Sequence, residues 1–200
     1  MEFVTYSHRN AETLFIHEPM YSVAYDEVLE SIRSISDDDI INEYESIGRS
    51  SKKSISQPIN RLIKRNLINL GWNAESAIFE DSRYSNKKWR LDFAKDQISV
   101  EVAFNHSEAI SWNLLKPVLA SELNHISKAI QTSAGIVICA TESMKTAGNF
   151  DNAVGTYETF LRYLTPMYNI LTSPVLIIGL LAPQSFHIDA VTKQVVRILP

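Results

Sequence analysis

Two short segments, Trp89-Arg90-Leu91-Asp92-Phe93 and Ile98-Ser99-Val100-Glu101-Val102-Ala103-Phe104-Asn105, alternate apolar and polar residues, the period of a β-strand with two unlike faces. Leu91 and Phe93 share one side of the first strand, Arg90 and Asp92 the other. In the second, Ile98, Val100, Val102 and Phe104 face one way, and Ser99, Glu101, Ala103 and Asn105 the other, away from the core. A turn centred on Asp96-Gln97 sets Asp92 opposite Glu101, Phe93 opposite Val100 and Leu91 opposite Val102. Opposed side chains in an antiparallel pair stand about 4.5–5.5 Å apart at Cβ, and like charges there repel unless a cation compensates them. Two carboxylates completed by water and phosphate oxygens suit Mg²⁺, which points to a phosphate ester as substrate. The hairpin alone also permits a solvated acid pair flanked by Arg90 and Lys95. Its turn has no central Gly or Asn, so a bulged register is the other way to close it.

The elements that must hold this hairpin follow from the same periodicities. Glu2 to Ser7 reads as a strand, and Pro19 to Ile35 as a helix with apolar residues at Tyr21, Ala24, Val28, Leu29 and Ile32. Asp37 to Asp39 suit the start of another. Pro58 opens an amphipathic helix (Ile59, Leu62, Ile63, Leu67, Leu70) that Gly71 stops, with Arg61, Lys64 and Arg65 on its outer side. Trp72 to Phe79 suits a strand. Ser107 to Gln131 is helical in pattern, and Pro117 predicts a break or kink near Lys116. A buried strand over Ile136 to Thr141, a polar loop at Gly148 to Asn152, a helix from Gly155 to Leu164, an apolar strand over Val175 to Leu181 and an edge strand near Val195 to Ile198 complete the chain. This mixture indicates an α/β domain, one domain over residues 1–200, with a mixed central sheet flanked by helices.

Composition narrows the classes. No apolar run reaches the roughly 20 residues of a membrane span, and MEFVTYSHRN lacks the regions of a signal peptide, so a soluble, intracellular protein is expected. Cys139 is the single cysteine and sits in an apolar run, which excludes a disulfide framework and a cysteine zinc site within one chain. A net charge of −4 argues against an indiscriminate polycation. The charges are segregated: acids crowd Asp26 to Glu45, whereas Arg49, Lys52, Lys53, Arg61, Lys64 and Arg65 occur with no acid between Ser46 and Ala74. That basic stretch is either a phosphate-binding surface or a solvated face.

The order Asp92, short turn, Val100-Glu101-Val102-Ala103-Phe104 resembles the PD-(D/E)xK nuclease signature, and within it the BglII/BstYI group of type II restriction endonucleases. Matching features run along most of the chain: Tyr6-Ser7-His8 followed by Asn10-Ala11-Glu12, the Pro58 helix ending at Gly71-Trp72, the hairpin, Tyr157-Glu158 after a polar loop, and Pro174-Val175-Leu176-Ile177-Ile178-Gly179-Leu180. The resemblance implies a restriction-endonuclease-like fold. It further implies a homodimer enclosing palindromic double-stranded DNA, Mg²⁺-dependent cleavage in a prokaryotic cytoplasm, and pairing with a cognate DNA methyltransferase. Asp92 and Glu101 match the metal-binding acids, and Val102 the carbonyl between them. Position 103 departs: the superfamily has Lys there and the BglII-like group Gln or Glu, but Ala103 can neither orient nor deprotonate a water. Three explanations stand: the substrate's own phosphate assists, a neighbour substitutes (Asn105 being best placed, His106 and Glu75 less so), or the site is inactive. The last would leave a sequence-specific DNA-binding protein on a nuclease scaffold. A repair or structure-specific nuclease of the same superfamily is a third reading.

Base edges are read by paired hydrogen bonds, and phosphates are gripped by cations and helix N-termini. Arg49, Lys52 and Lys53 suit a clamp on the DNA backbone. Asn149, Asp151 and Asn152, in a polar loop leading into a helix, and Ser107, just after the metal strand, suit DNA contact, with helix capping the alternative for that loop. The apolar arc Leu114, Leu115, Val118, Leu119, Leu123 and Ile126 serves either the core or a two-fold interface. His8 reads as structural.

Overall fold

In the computed structural model, which describes residues 1–48, 53–122 and 125–198, the apolar runs become the middle of a sheet and the alternating ones its working edge. The chain begins with β1 (Phe3–His8), α1 (Ala11–His17), α2 (Pro19–Arg33), α3 (Asp37–Ser46) and α4 (Ser56–Asn69). The antiparallel run β2 (Asn73–Ala77), β3 (Arg90–Lys95) and β4 (Ile98–Val102) follows, then α5 (Ile110–Ser121), β5 (Ala134–Ala140), α6 (Glu142–Ala147), α7 (Tyr157–Met167) and β6 (Val175–Leu180). Among the described residues the sheet has six strands in the order β1-β6-β5-β4-β3-β2. The β4-β5 and β5-β6 pairs are parallel and the rest antiparallel. β7 (Phe186–Ile188) and β8 (Val195–Arg197) form a separate ribbon, so the expected strand near the C-terminus is no edge of the main sheet.

Helices cover both faces. Phe93, Val100, Val102, Ile136, Ile138, Leu176 and Ile178 pack in one buried cluster with Val28, Ile32, Ile40, Ile59, Leu62 and Ile63 of α2, α3 and α4. Ala103, Val137, Cys139, Val175 and Ile177 pack in another with Ile110, Leu114 and Val118 of α5 and Phe160 and Leu164 of α7. This double cover corrects one expectation. β4 is not half-buried, since all five of its residues are inaccessible, and the polar side that alternation assigned to Glu101 lies beneath α5. Alternation records chemical type along a strand; it carries no information about which later segment folds over the polar face.

Pro117 does not break its helix. It lies inside α5, which runs on to Ser121, and the chain from 125 to 131 is not helical. The missing proline N–H removes one bond only four residues before the helix ends, and Pro117 is seated against Gly135, where a Cβ would stand 2.4 Å from the proline Cβ. That fit needs glycine on β5. α1 and α6 were not expected from periodicity, both being too short to show it. Ser36, with Asp39 answering three residues on, caps α3 as a capping box, while Asp37 instead accepts bonds from the Gln184 and Ser185 N–H groups. No helix among the described residues is long and apolar enough to cross a membrane.

Candidate active site

The β3-β4 hairpin closes without a bulge: Phe93 pairs with Val100, Ala94 with Ser99 and Lys95 with Ile98. Asp96 makes this tight turn feasible by adopting φ 49°, a left-handed conformation that Asp tolerates better than most side chains. Beyond Phe93 the ladder stops. The next expected pairs, Asp92 with Glu101 and Leu91 with Val102, are replaced by side-chain bonds. The Val102 N–H donates to Asp92 Oδ2 at 2.8 Å, and the Asp92 N–H donates to Glu101 Oε1 at 3.3 Å. The two carboxylates are thus brought together where regular pairing ends, each anchored by a backbone donor of the other strand.

They face a cleft of about 320 Å³ whose walls come from four elements. α4 contributes Gln57, Asn60, Arg61 and Lys64, β2 contributes Glu75, the hairpin Asp92, Glu101 and Val102, and α5 Asn113 and Lys116, with Asn105 at the rim. Glu101 is 1% exposed. Burial first, then the Asp92 charge, push its carboxyl up to about 8, against the pull of Lys116. Burial also raises Asp92, opposed chiefly by Lys116 and the Val102 N–H. Carboxylates so disfavoured by desolvation and mutual repulsion are strong ligands for a divalent ion. Among the described residues no third His, Cys, Asp or Glu completes a metal-binding group, and Glu75, held at φ 53° on β2, lines the cleft without doing so. A donor set of two carboxylates fits Mg²⁺, which keeps several waters and takes substrate oxygens.

Lys116 escaped the sequence reading as a site residue. Its Nζ lies 2.6 Å from Glu101 Oε2, with both side chains nearly inaccessible. Only its place as a lone cation in an apolar helix could have signalled it, and that was read as a kink position. Ala103 is 2% exposed and belongs to the core under α5. Asn105 lines the cleft and accepts a bond from Asn113 Nδ2 at 3.0 Å.

The DNA-contact candidates divide. Arg49 and Lys52 lie outside the described residues. Lys53, Asn149, Asp151 and Asn152 come together with His106, Phe104, Gln57 and Lys193 along a groove of about 700 Å³, which meets the cleft at Gln57. Asn149 takes φ 53° and donates to the Lys53 carbonyl at 2.5 Å. Asp151 Oδ1 accepts the Ala153 N–H, closing its own loop. Ser107 is not on the groove wall, but its N–H donates to the Ala153 carbonyl at 2.7 Å and the Gly155 N–H donates to the Asn105 carbonyl at 3.1 Å. These bonds stitch the polar loop to the segment that follows β4. Arg61 is paired with Glu43. Trp112 is half-buried, edge-on to Trp89 and donating to the Lys88 carbonyl. His8 and Cys139 are buried, His8 bonded to the Leu171 carbonyl. Leu114 and Val118 are buried within this chain's own core.

A family model described as restriction endonuclease BglII/BglIII matches residues 3–180. Among solved structures, a crystal structure of restriction endonuclease BglII complexed with a DNA 16-mer aligns at TM-score 0.65 with 20% identity, covering 90% of this chain and 77% of that one. One of free BglII aligns at TM-score 0.53 with 16% identity, covering 90% and 80%. No curated protein sequence matches the chain.

Proposed function

The chain belongs to the BglII/BglIII restriction endonuclease family and is a type II site-specific deoxyribonuclease, and from that premise we propose that it cuts short palindromic double-stranded DNA with Mg²⁺ held by Asp92 and Glu101. The observation that carries this reading is the pair of carboxylates at the end of the hairpin ladder, Glu101 buried and Asp92 half-buried, each bonded to the other strand's backbone and both open to one polar cleft.

In this reading Asp92, Glu101 and the Val102 carbonyl hold the ion. When bound, it supplies Lewis-acid polarisation of the phosphodiester and makes nearby water more acidic. The chain's own residues do the rest. The backbone N–H groups of Val102 and Asp92 fix the carboxylates before substrate arrives, so little reorganisation is needed during reaction. Lys64 and Arg61 offer positive charge along the α4 wall for flanking phosphates. Asn105, held by Asn113, presents an amide at the cleft rim, where it orients water or a phosphate oxygen. Lys53, with Arg49 and Lys52, grips the DNA backbone, while Asn149, Asp151 and Asn152 contact the duplex from the groove and Ser107 from beside it.

A palindrome is read by a two-fold assembly, so the protein acts as a homodimer, one domain per protomer over residues 1–200. It works in a prokaryotic cytoplasm, its host protected by a cognate methyltransferase. Digestion of plasmid DNA tests this. Discrete fragments with Mg²⁺, none with chelator, and one short palindrome at all sequenced ends are expected. Specific binding without cleavage under any divalent ion would instead mean a binding protein on an inactive scaffold, and cleavage confined to lesions or junctions a repair enzyme.

A further inference from the structure

Ala103 deprives the polar side of β4 of a functional group, yet the cleft contains a cation delivered from elsewhere. Lys116 reaches across from α5, its side chain 9% exposed, with Nζ 2.6 Å from Glu101 Oε2. We propose that Lys116 is a charge-balancing and positioning residue of this nuclease centre: it competes with a divalent ion for Glu101 and serves the scissile phosphodiester once that carboxylate is committed to the ion. The proposal rests on the nuclease reading above.

The placement of Lys116 is built into the fold. Pro117, the next residue, seats on Gly135 so closely that a Cβ there would stand 2.4 Å from the proline Cβ. This contact sets how deeply α5 sits on the sheet, and therefore how far Lys116 reaches. Almost one turn earlier, Asn113 is 4% exposed and bonds Asn105 at the end of the catalytic strand. The helix is thus fixed at two points, one on either side of the site. Among the described residues the Lys116 ammonium has one hydrogen-bond acceptor, Glu101, and the side chain lines the same cleft as both acids. Its remaining donors are available to a substrate oxygen in that cleft.

Charge accounting assigns this ammonium two opposite effects. With both acids ionised, as metal ligation requires, two carboxylates and one ammonium sum to a single negative charge. A divalent ion converts that to a single positive charge, and a phosphodiester brings it to zero. Attack on phosphorus adds one negative charge, which the ammonium helps to offset in a site sheltered from solvent. Without Lys116 every total is one unit more negative: the ion is attracted more strongly, and the phosphate is repelled. A cation that merely held the fold together would give a different signature, because removing it would loosen metal and substrate sites alike.

The test is Lys116→Met, which keeps the aliphatic stem, together with Lys116→Arg, read by Mn²⁺ titration calorimetry without DNA and by Mg²⁺-dependent cleavage. Lys116→Met is expected to bind Mn²⁺ about tenfold more tightly than the wild type, as removal of one nearby charge implies, and to cut about 100-fold more slowly or worse. Lys116→Arg keeps near-wild-type Mn²⁺ affinity and recovers part of the cleavage. Mn²⁺ affinity unchanged or weaker in Lys116→Met overturns the proposal, as does unchanged cleavage. If Lys116→Met does not fold, the wild type decides: the ¹⁵N ammonium resonance of Lys116 must move when Ca²⁺ is added, and an unmoved resonance overturns the competition. A wild type that cuts no DNA defeats the nuclease reading, while the Mn²⁺ comparison still rules on Lys116.

Discussion

The cleft and the groove lie side by side, share Gln57, and are built on opposite plans. The cleft is made of sheet and helix: Glu101 is buried, Lys116 nearly so, and each acid is pinned by a strand backbone N–H. The groove is made mostly of loops, with the start of α4 on one side. Asp151, Asn152 and His106 are exposed, and the loop is held by backbone bonds such as Ser107 N–H to the Ala153 carbonyl. Chemistry that needs desolvated charge at fixed distances is placed on rigid elements, and residues that must meet a variable partner are placed on exposed ones. Substitutions in the two regions should therefore fail differently.

The largest expected effect is in the cleft. Glu101→Ala should lower the cleavage rate about a thousandfold or more, the scale set by several kcal/mol of lost metal-assisted stabilisation, while gel-shift affinity for the same duplex in Ca²⁺ stays near that of the wild type. Activity retained in this variant would remove the distinction between the regions.

Next comes the support beneath the cleft. Gly135→Ala forces a methyl group against Pro117 and should cost about 1–3 kcal/mol of stability, as overpacking does, seen as a lowered Tm with the protein's DNA affinity little changed at low temperature. A Tm equal to the wild type would show that α5 is not seated as described. In the groove, Asn152→Ala should weaken specific binding by about 1–3 kcal/mol if it reads a base edge, whereas Lys53→Ala should lower the salt-dependence slope of binding by about one unit. Equal weakening on specific and random duplexes by Asn152→Ala would reassign that residue to the backbone.

The buried acid also gives the cleft a pH signature that the groove lacks. The Glu101 carboxyl is pushed above its ordinary range, to about 8, so folding favours its protonated form. That stabilisation is complete below the ordinary carboxylate range and is lost as pH rises through about 8. In chelator, Tm should fall across this interval, and Glu101→Gln should flatten the slope; an unchanged slope in the variant would place its origin elsewhere. Smallest of all, Arg61→Ala breaks an exposed pair with Glu43 and should change stability by about 0.2–1 kcal/mol, with any loss in DNA affinity confined to low salt.

The hairpin was legible because its information is local. Period-two alternation put Asp92 and Glu101 on one polar side, and the Phe93–Val100 pairing is the expected register. The apolar runs that became β5 and β6, and the amphipathic α4, were legible for the same reason. What the sequence did not disclose was long-range. Nothing near Glu101 announces that α5 will cover it, so its burial and its Lys116 partner depend on a contact between Pro117 and Gly135, 18 residues apart in number. Likewise, Lys53 and Asn149 meet across 96 positions through a backbone carbonyl, a contact no residue pattern encodes. Pro117 misled because proline was weighed by its lost hydrogen bond alone, and not by the glycine that receives it.

The proposed separation of cutting from reading is tested most directly by measuring, for the wild type and Asp92→Ala, the ratio of affinities for the cognate duplex and a scrambled duplex in Ca²⁺, alongside cleavage in Mg²⁺. The account predicts that Asp92→Ala keeps the wild-type ratio within about threefold, less than one ordinary base contact, and makes no cuts. Cleavage by Asp92→Ala, or collapse of its ratio toward one, would contradict it.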